Sequence, residues 1–357
     1  MSGASLISRI HGGWPPPGAI DFSSPSNPLG PPEGLVEEVY RCVREGAYKS
    51  YPTSLYRGLY DALAEFIGSD PGSILPLNGA AEALNLIPLA LGARSLVVVE
   101  PNFGDHELMA VGLGLVLRRP LLSEVGLTFR LNIDDVVSEV LLAPRPSVVI
   151  LSRPNNPTGH LVPVNVIDEL SSRLPRDATL VVDEAFVELS SGRPLHPRDD
   201  LIVVRSLTKA FSTPGLRLGA IITLNRGALE RVASAAQAWP VDSITACSFS
   251  RFLQSQEARL HVKRGAEVAS EGVRKLLEST RLLGIVAYES SAPFVLLKHD
   301  RLPNPPFLEA LRKRGVNVRD CSSFYGLGPS FSRVSVRLPG DNEVLLRALR
   351  EVLGPRG

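Results

Sequence analysis

Residues 203–220 read VVRSLTKAFSTPGLRLGA. An apolar run of strand type ends at Arg205, hydroxyl residues follow at Ser206 and Thr208, and then comes Lys209. Arg217 stands further on, in a glycine-bearing turn. The lysine is conspicuous because Lys and Arg total 38 and only Lys49, Lys209, Lys263, Lys275, Lys298 and Lys313 are lysines. The arginine bias by itself reads as a coding or thermal-adaptation preference. It leaves few candidates for a reactive amine.

Outward from this stretch, short runs rich in Val, Ile and Leu recur. They are SLVVVE (95–100), SVVILSRP (147–154), TLVVDEAF (179–186), LIVVRSLT (201–208) and LGAIITL (218–224). The runs are continuous rather than alternating, as expected for strands buried on both faces. Amphipathic helical patterns such as GLVEEVYRCVREG, LYRGLYDALAEFIG and AAEALNLIPLAL precede them, and other helical stretches lie between them. The order predicts an α/β fold, a mostly parallel sheet covered by helices. Residues 11–33 are too rich in Pro and Gly for a regular helix or a central strand. We read 1–33 as an extended arm packing on a smaller domain, 34–226 as the large domain, and 227–357 as the smaller α+β domain.

Composition excludes several classes. The chain has 357 residues, 44% hydrophobic and 21% charged, with a net charge of +1. That charge suggests neither a nucleic-acid surface nor an acidic tail. The opening MSGASLISRIHGGW lacks the apolar core of a signal peptide. The most apolar region, LNLIPLALGARSLVVVE, is broken by Pro88, Gly92 and Arg94 and is too interrupted to span a membrane. A cytoplasmic protein is expected. Cys42, Cys247 and Cys321 are isolated and odd in number, which argues for a reducing compartment and against a disulfide framework or a zinc site. The six histidines show no ligand spacing, so no metal is expected.

Ligands of open α/β sheets bind beyond the carboxyl ends of the strands. Four runs deliver different chemistry there: PNFG after SLVVVE, RPNNPTG after SVVILS, Asp183 within TLVVDEAF, and SLTK after LIVVR. An aromatic ring, an amide, a carboxylate, hydroxyls and an amine thus converge on one rim. Alone, each is ordinary: a loop lysine, a helix-capping Asp, an Asn-Pro turn, a core Phe. Together they suit a cofactor with a flat ring, a basic ring nitrogen, a phosphate and an aldehyde.

RPNNPTG, VVDEAF and SLTKAFSTPGLRLG, in this order, resemble the fold-type I pyridoxal-phosphate (PLP) enzymes of the class I/II aminotransferase superfamily, over nearly the whole chain. The resemblance implies a large domain with a mostly parallel sheet of the seven-stranded type, flanked by helices, plus a smaller α+β domain. It implies that Lys209 bonds the cofactor aldehyde as a Schiff base and later moves the proton at the substrate α-carbon. Asp183 would hold the ring nitrogen protonated. Asn156 would donate to the ring hydroxyl, and Phe103 would stack on the ring. Ser206, Thr208 and Arg217 would hold the phosphate, with Gly79, Ala80 and Ala81 forming a cup at a helix start. Tyr51 would reach the phosphate of a neighbouring subunit, which implies a homodimer with shared sites. One position departs: many relatives carry Tyr three residues after the aspartate, and here it is Phe186.

Two regions resemble threonine-phosphate decarboxylases of cobalamin synthesis: HGGW…IDFSSPSNPLGPPEGL near the start and NVRDCSSFYGLGPSFSRVSVR near the end. Histidinol-phosphate aminotransferases share the core. Arg333 would bind the substrate α-carboxylate, Arg319 and Arg337 are candidates for a substrate phosphate, and His11 is a candidate from the arm. The expected function is a PLP-dependent decarboxylase of a phosphorylated amino acid. A transaminase is the alternative, and a non-catalytic PLP-binding module is a reading from a different class.

Overall fold

In the computed structural model, residues 11–104 and 106–354 are described; the first ten residues of the expected arm lie outside them. The arm enters through β1 (Ile20–Asp21), followed by α1 (Glu33–Arg44), α2 (Thr53–Ile67), β2 (Ile74–Asn78), α3 (Ala80–Ala90), β3 (Ser95–Val98), α4 (His106–Leu113) and β4 (Val116–Arg118). Next come a hairpin of β5 (Ser123–Val125) and β6 (Thr128–Arg130), α5 (Ile133–Leu142), β7 (Ser147–Ser152), α6 (Val164–Arg173), β8 (Ala178–Asp183), β9 (Leu201–Ser206), the short α7 (Leu207–Ala210) and β10 (Leu218–Ile222). The remainder is α8 (Arg226–Ala235), α9 (Ser243–Phe252), α10 (Gln256–Leu282), β11 (Val286–Ala287), β12 (Phe294–Lys298), α11 (Pro306–Arg312), β13 (Val316–Asn317), β14 (Arg319–Asp320), β15 (Phe331–Ser335) and α12 (Pro339–Leu353).

The main sheet has seven strands in the order β2-β10-β9-β8-β7-β3-β4. It is parallel throughout except for β10, which runs antiparallel to β2 and β9. The continuous apolar runs follow from its two covered faces. Val149, Leu151, Val182 and Val203 enter a core shared with α1, α2 and α9. Their neighbours Val148, Ile150, Val181 and Ile202 enter the opposite core, with α3 and α8. The sequence pattern does not single out β2 or β4. Pro76 sits within β2, and β4 is a three-residue edge strand; neither carries the long Val/Ile run that reveals the central strands.

A second sheet, β11-β12-β15-β14, packs with α10, α11 and α12. Phe22 of the arm is buried in that core, and β1 pairs in parallel with β13. The arm also reaches the large sheet: Asn27 N donates to Lys209 O at 3.0 Å, and Asn27 Nδ2 donates to Ala210 O at 2.9 Å. Packing changes later than residue 227. Ala228 and Val232 of α8, and Ala246, Phe249 and Ala258 beyond it, belong to the cores of the large sheet. The second core takes over only within α10, at Val273 and Leu276.

One expectation is overturned. Cys42 on α1 and Cys247 on α9 are joined by a disulfide, with Cα atoms 6.1 Å apart. Their separation of 205 residues hid a contact that α1–α9 packing creates. The argument for a reducing compartment from isolated thiols loses its basis. Cys321 is free and buried. Among the described residues, no group of three or more His, Cys, Asp or Glu could hold a metal ion, and no helix is long and apolar enough to cross a membrane.

Candidate active site

The carboxyl ends of β7, β8 and β9 open on a cavity of about 210 Å³. Each strand end contributes directly. Ser152 leads into the Asn156 turn, Asp183 ends β8, and Ser206 ends β9 just before Lys209 on α7. Arg217 arrives from the other chain direction. Because β10 is antiparallel, the residue before it lies at the same rim. Arg217 has φ 42°, and its guanidinium lies against Gly79, where a Cβ would come within 2.6 Å of Nη2. Gly79 itself has φ +79°. Gly219 is equally constrained, since a Cβ there would meet Ala80 N at 2.4 Å. These two glycines let the start of α3, β10 and the arginine close together.

His11, Ala80, Ala81, Phe103, Asn156, Asp183, Ser206, Thr208, Lys209, Arg217, Arg319 and Arg333 all border this cavity; Gly79 lies directly behind Arg217. The structure therefore brings together most of the residues singled out in the sequence. Two are elsewhere. Arg337 is half-exposed and paired with Asp341 on α12 at 2.9 Å. Its Nη1 donates to Asp21 O at 3.2 Å, and it does not border the cavity. Tyr51 is 72% exposed and stacks on Trp239, ring centroids 4.1 Å apart. Within one chain it contributes nothing to the cavity.

Burial sets the electrostatics. Burial pushes the Asp183 carboxyl up to about 6, and its neighbour Glu184 adds to the rise; the Ala185 N–H, donating at 3.0 Å, and Lys209 oppose it. Burial brings the Lys209 amine down to about 8, helped by Arg333 and Arg217 and opposed by Asp183. A measurable fraction of the amine is thus neutral, hence nucleophilic, near neutral pH. Arg333 is also lowered, to about 10, by burial first, and stays charged.

Asn156 has a determined orientation. Arg333 Nη1 donates to its Oδ1, and a guanidinium can only donate. The amide carbonyl therefore faces Arg333, and Nδ2 is left for the cavity. Arg333 Nη2 donates to Ser23 O at 2.8 Å. Ser206 and Thr208 share a hydrogen bond of 2.7 Å.

This donor set fits PLP. A buried carboxylate whose hydrogen-bond donor is a backbone N–H suits a ring N–H. Two hydroxyls, an arginine and the first N–H groups of α3 suit a phosphate. Phe103 supplies an apolar face. Phe186 is buried and carries no hydroxyl, so a donor for the ring oxygen would have to come from Asn156 Nδ2.

Three contributors escape the sequence pattern. Ser23 and Asn27 hold Arg333 and the Lys209 segment from the arm. Phe294 lies under Arg333. The polar run FSSPSN within a Pro-rich arm is the only sign of the first two. Nothing local marks Phe294.

A family model described as aminotransferase class I and II matches residues 17–352. A protein of Caldanaerobacter subterraneus subsp. tengcongensis, named provisionally as a threonine-phosphate decarboxylase, is 34% identical over 91% of this chain and 88% of its own length. Threonine-phosphate decarboxylase of Salmonella typhimurium is 29% identical over 96% and 93%. Histidinol-phosphate aminotransferase of Thermococcus gammatolerans is 30% identical over 94% and 92%. Among solved structures, histidinol-phosphate aminotransferase of Clostridium acetobutylicum superposes with a TM-score of 0.83 at 22% identity, covering 93% of this chain and 98% of its own, a likeness of fold.

Proposed function

We propose that this chain, which belongs to the class I and II aminotransferase family and takes pyridoxal 5′-phosphate as its cofactor, decarboxylates a phosphorylated amino acid of the threonine-phosphate type. The observation that carries this reading is the pairing of Arg319 with Arg333. They are Cα partners on adjoining strands β14 and β15, and both border the cavity. A ligand with an α-carboxylate and a phosphate uses both guanidiniums at once. The two similar sequences named for that decarboxylation support the same substrate class.

Bound PLP supplies an electron sink for the bond broken at the α-carbon. In this reading the protein does the rest. Asp183 holds the proton on the ring nitrogen. Ser206, Thr208 and Arg217 anchor the phosphate. Arg333, fixed by Asn156 and Ser23, would hold the substrate carboxylate in one orientation. Lys209, in its ammonium form, would supply the proton that replaces the carboxylate at the α-carbon. Arg319 and His11, which also border the cavity, would meet the substrate phosphate. We extend the proposal to a homodimer, in which the exposed Tyr51–Trp239 stack lies at the contact and serves the partner's site.

The test is carbon dioxide release from L-threonine O-3-phosphate by PLP-loaded protein. Stoichiometric conversion to an aminopropanol phosphate over many turnovers is expected. Amino transfer to 2-oxoglutarate without carbon dioxide would replace the decarboxylase with a transaminase.

A further inference from the structure

Between the two halves of the site lies an aromatic pair that the mechanism above does not use. Phe186 and Phe294 meet edge to face, with ring centroids 5.1 Å apart and planes at 80°. With Ala292 they form a small buried cluster separate from the cores of both sheets. Phe186 comes from the loop after β8, three residues beyond Asp183. Phe294 begins β12 of the other sheet and is fully buried. Each ring faces one cation. Lys209 Nζ is 5.9 Å from the Phe186 centroid, and Arg333 Cζ is 5.1 Å from the Phe294 centroid.

The Arg333 guanidinium is therefore held in three directions. Asn156 Oδ1 takes Nη1, Ser23 O takes Nη2, and the Phe294 ring lies beneath Cζ, its centroid 5.1 Å away. Its Nε makes no hydrogen bond among the described residues. Two hydrogen bonds at the tips still allow rotation about the line joining them. The ring face removes that freedom, and attraction to the ring quadrupole is strongest in a buried, desolvated setting such as this.

We propose that Phe294, braced by Phe186, is a positioning residue that fixes the plane of the Arg333 guanidinium, and so sets the angle at which a substrate carboxylate is presented. The inference rests on the reading of Arg333 as the carboxylate site. It adds what decides the outcome at the α-carbon. A carboxylate held at one angle keeps one bond aligned for cleavage, and a carboxylate free to swivel exposes the α-hydrogen as well.

The experiment compares Phe294→Met, which keeps volume and loses the ring face, with the unsubstituted protein. Calorimetry on the cofactor-free full chain measures binding of L-threonine O-3-phosphate and of the aminopropanol phosphate that lacks the carboxylate. The expected result is about tenfold weaker binding of the first and an unchanged second. In PLP-loaded protein, carbon dioxide release should fall relative to exchange of the α-hydrogen with solvent deuterium. Phe186→Leu, at a position bordering the cavity, should shift the same ratio in the same direction. Phe294→Tyr, which restores the face, should recover it. Equal changes for both ligands, or an unchanged ratio in folded Phe294→Met and Phe186→Leu, overturn the proposal. If the unsubstituted chain binds neither phosphorylated ligand, the substrate reading falls instead. L-alanine against ethylamine then decides the aromatic pair.

Discussion

Asp183 and Glu184 are consecutive, both acidic and both buried, and their surroundings are opposite. Glu184 is enclosed by cations: Arg153 Nη1 lies 2.7 Å from Oε1 and Arg205 Nε lies 3.1 Å from Oε2. The Leu195 N–H adds a hydrogen bond, and Arg205 continues to Glu188 at 2.5 Å. Among the described residues, Asp183 accepts a single backbone N–H. A buried charge without a matched partner costs free energy. At 184 two arginines and a backbone N–H oppose that cost, although burial still holds the Glu184 carboxyl above its ordinary range; at 183 only a backbone N–H and Lys209 oppose it, on the side that faces the cavity. The difference separates a charge that holds the fold from one kept available for a ligand. Lys209 belongs with Asp183, since burial and two arginines oppose its charge.

The largest effect that would break this comparison is expected at Lys209. Lys209→Ala should abolish turnover and the absorbance band of the cofactor bound through an amine, while the circular dichroism spectrum stays the same. A persisting band would move the anchoring role to another lysine. Next comes Asp183→Asn, with a fall in turnover of about a thousandfold or more, because an amide cannot hold the ring nitrogen's proton as a carboxylate does.

The same variant has a second, opposite readout. The folded Asp183 carboxyl titrates at about 6, above its ordinary 3.8. Between those values the folded chain binds a proton that the unfolded chain does not. The contribution of Asp183 to the stability of the cofactor-free protein should therefore rise as pH falls from 6 towards 4. The full difference is on the order of 3 kcal/mol. Asp183→Asn should flatten that rise and stabilise the cofactor-free chain at pH 7, as measured by urea unfolding at several pH values. A site variant that loses activity and gains stability marks a charge held for function.

Glu184→Gln should do the reverse. It leaves Arg153 and Arg205 buried beside an uncharged group, at a cost of about 3 kcal/mol or more. Cofactor spectrum and KM should be nearly unchanged in whatever protein remains folded. Equal stability losses at 183 and 184 would erase the distinction.

Little of this contrast was legible in the sequence. The strand cores, the rim and the lysine were, because they depend on local runs and on the residues just past each strand end. VVDEAF announced an acidic pair but not which member would be paired. The partners are Arg153, just past the end of β7, and Arg205 on β9, and only the sheet order places them beside Glu184. The same limit applies to the disulfide, whose cysteines meet through helix packing, and to Phe294, which is an ordinary apolar residue until Arg333 is laid against it. Ser23 and Asn27 were hidden differently. They lie in a segment whose composition declares irregular backbone and says nothing of what that backbone touches.

The smallest expected effect is the most discriminating control on the arginines. Arg333 and Arg337 lie four residues apart in SRVSVR, and sequence offered both for substrate anions. Arg333 lies on β15 with its charge turned into the cavity, whereas Arg337 lies beyond the strand, pairs with Asp341 and spans to Asp21 O across the arm. A half-exposed pair of this kind contributes little, on the order of 0.5 kcal/mol. Arg337→Ala should change kcat/KM less than twofold and lower the melting temperature by a degree or two. A tenfold or greater rise in KM for the phosphorylated substrate would instead bring Arg337 into the site in the ligand-bound state, through a swing of its side chain away from Asp341. Arg333→Ala fixes the other end of the scale. It removes the charge that Asn156 and Ser23 are arranged to hold, so the two variants compare a cation built into the cavity with one built into the surface.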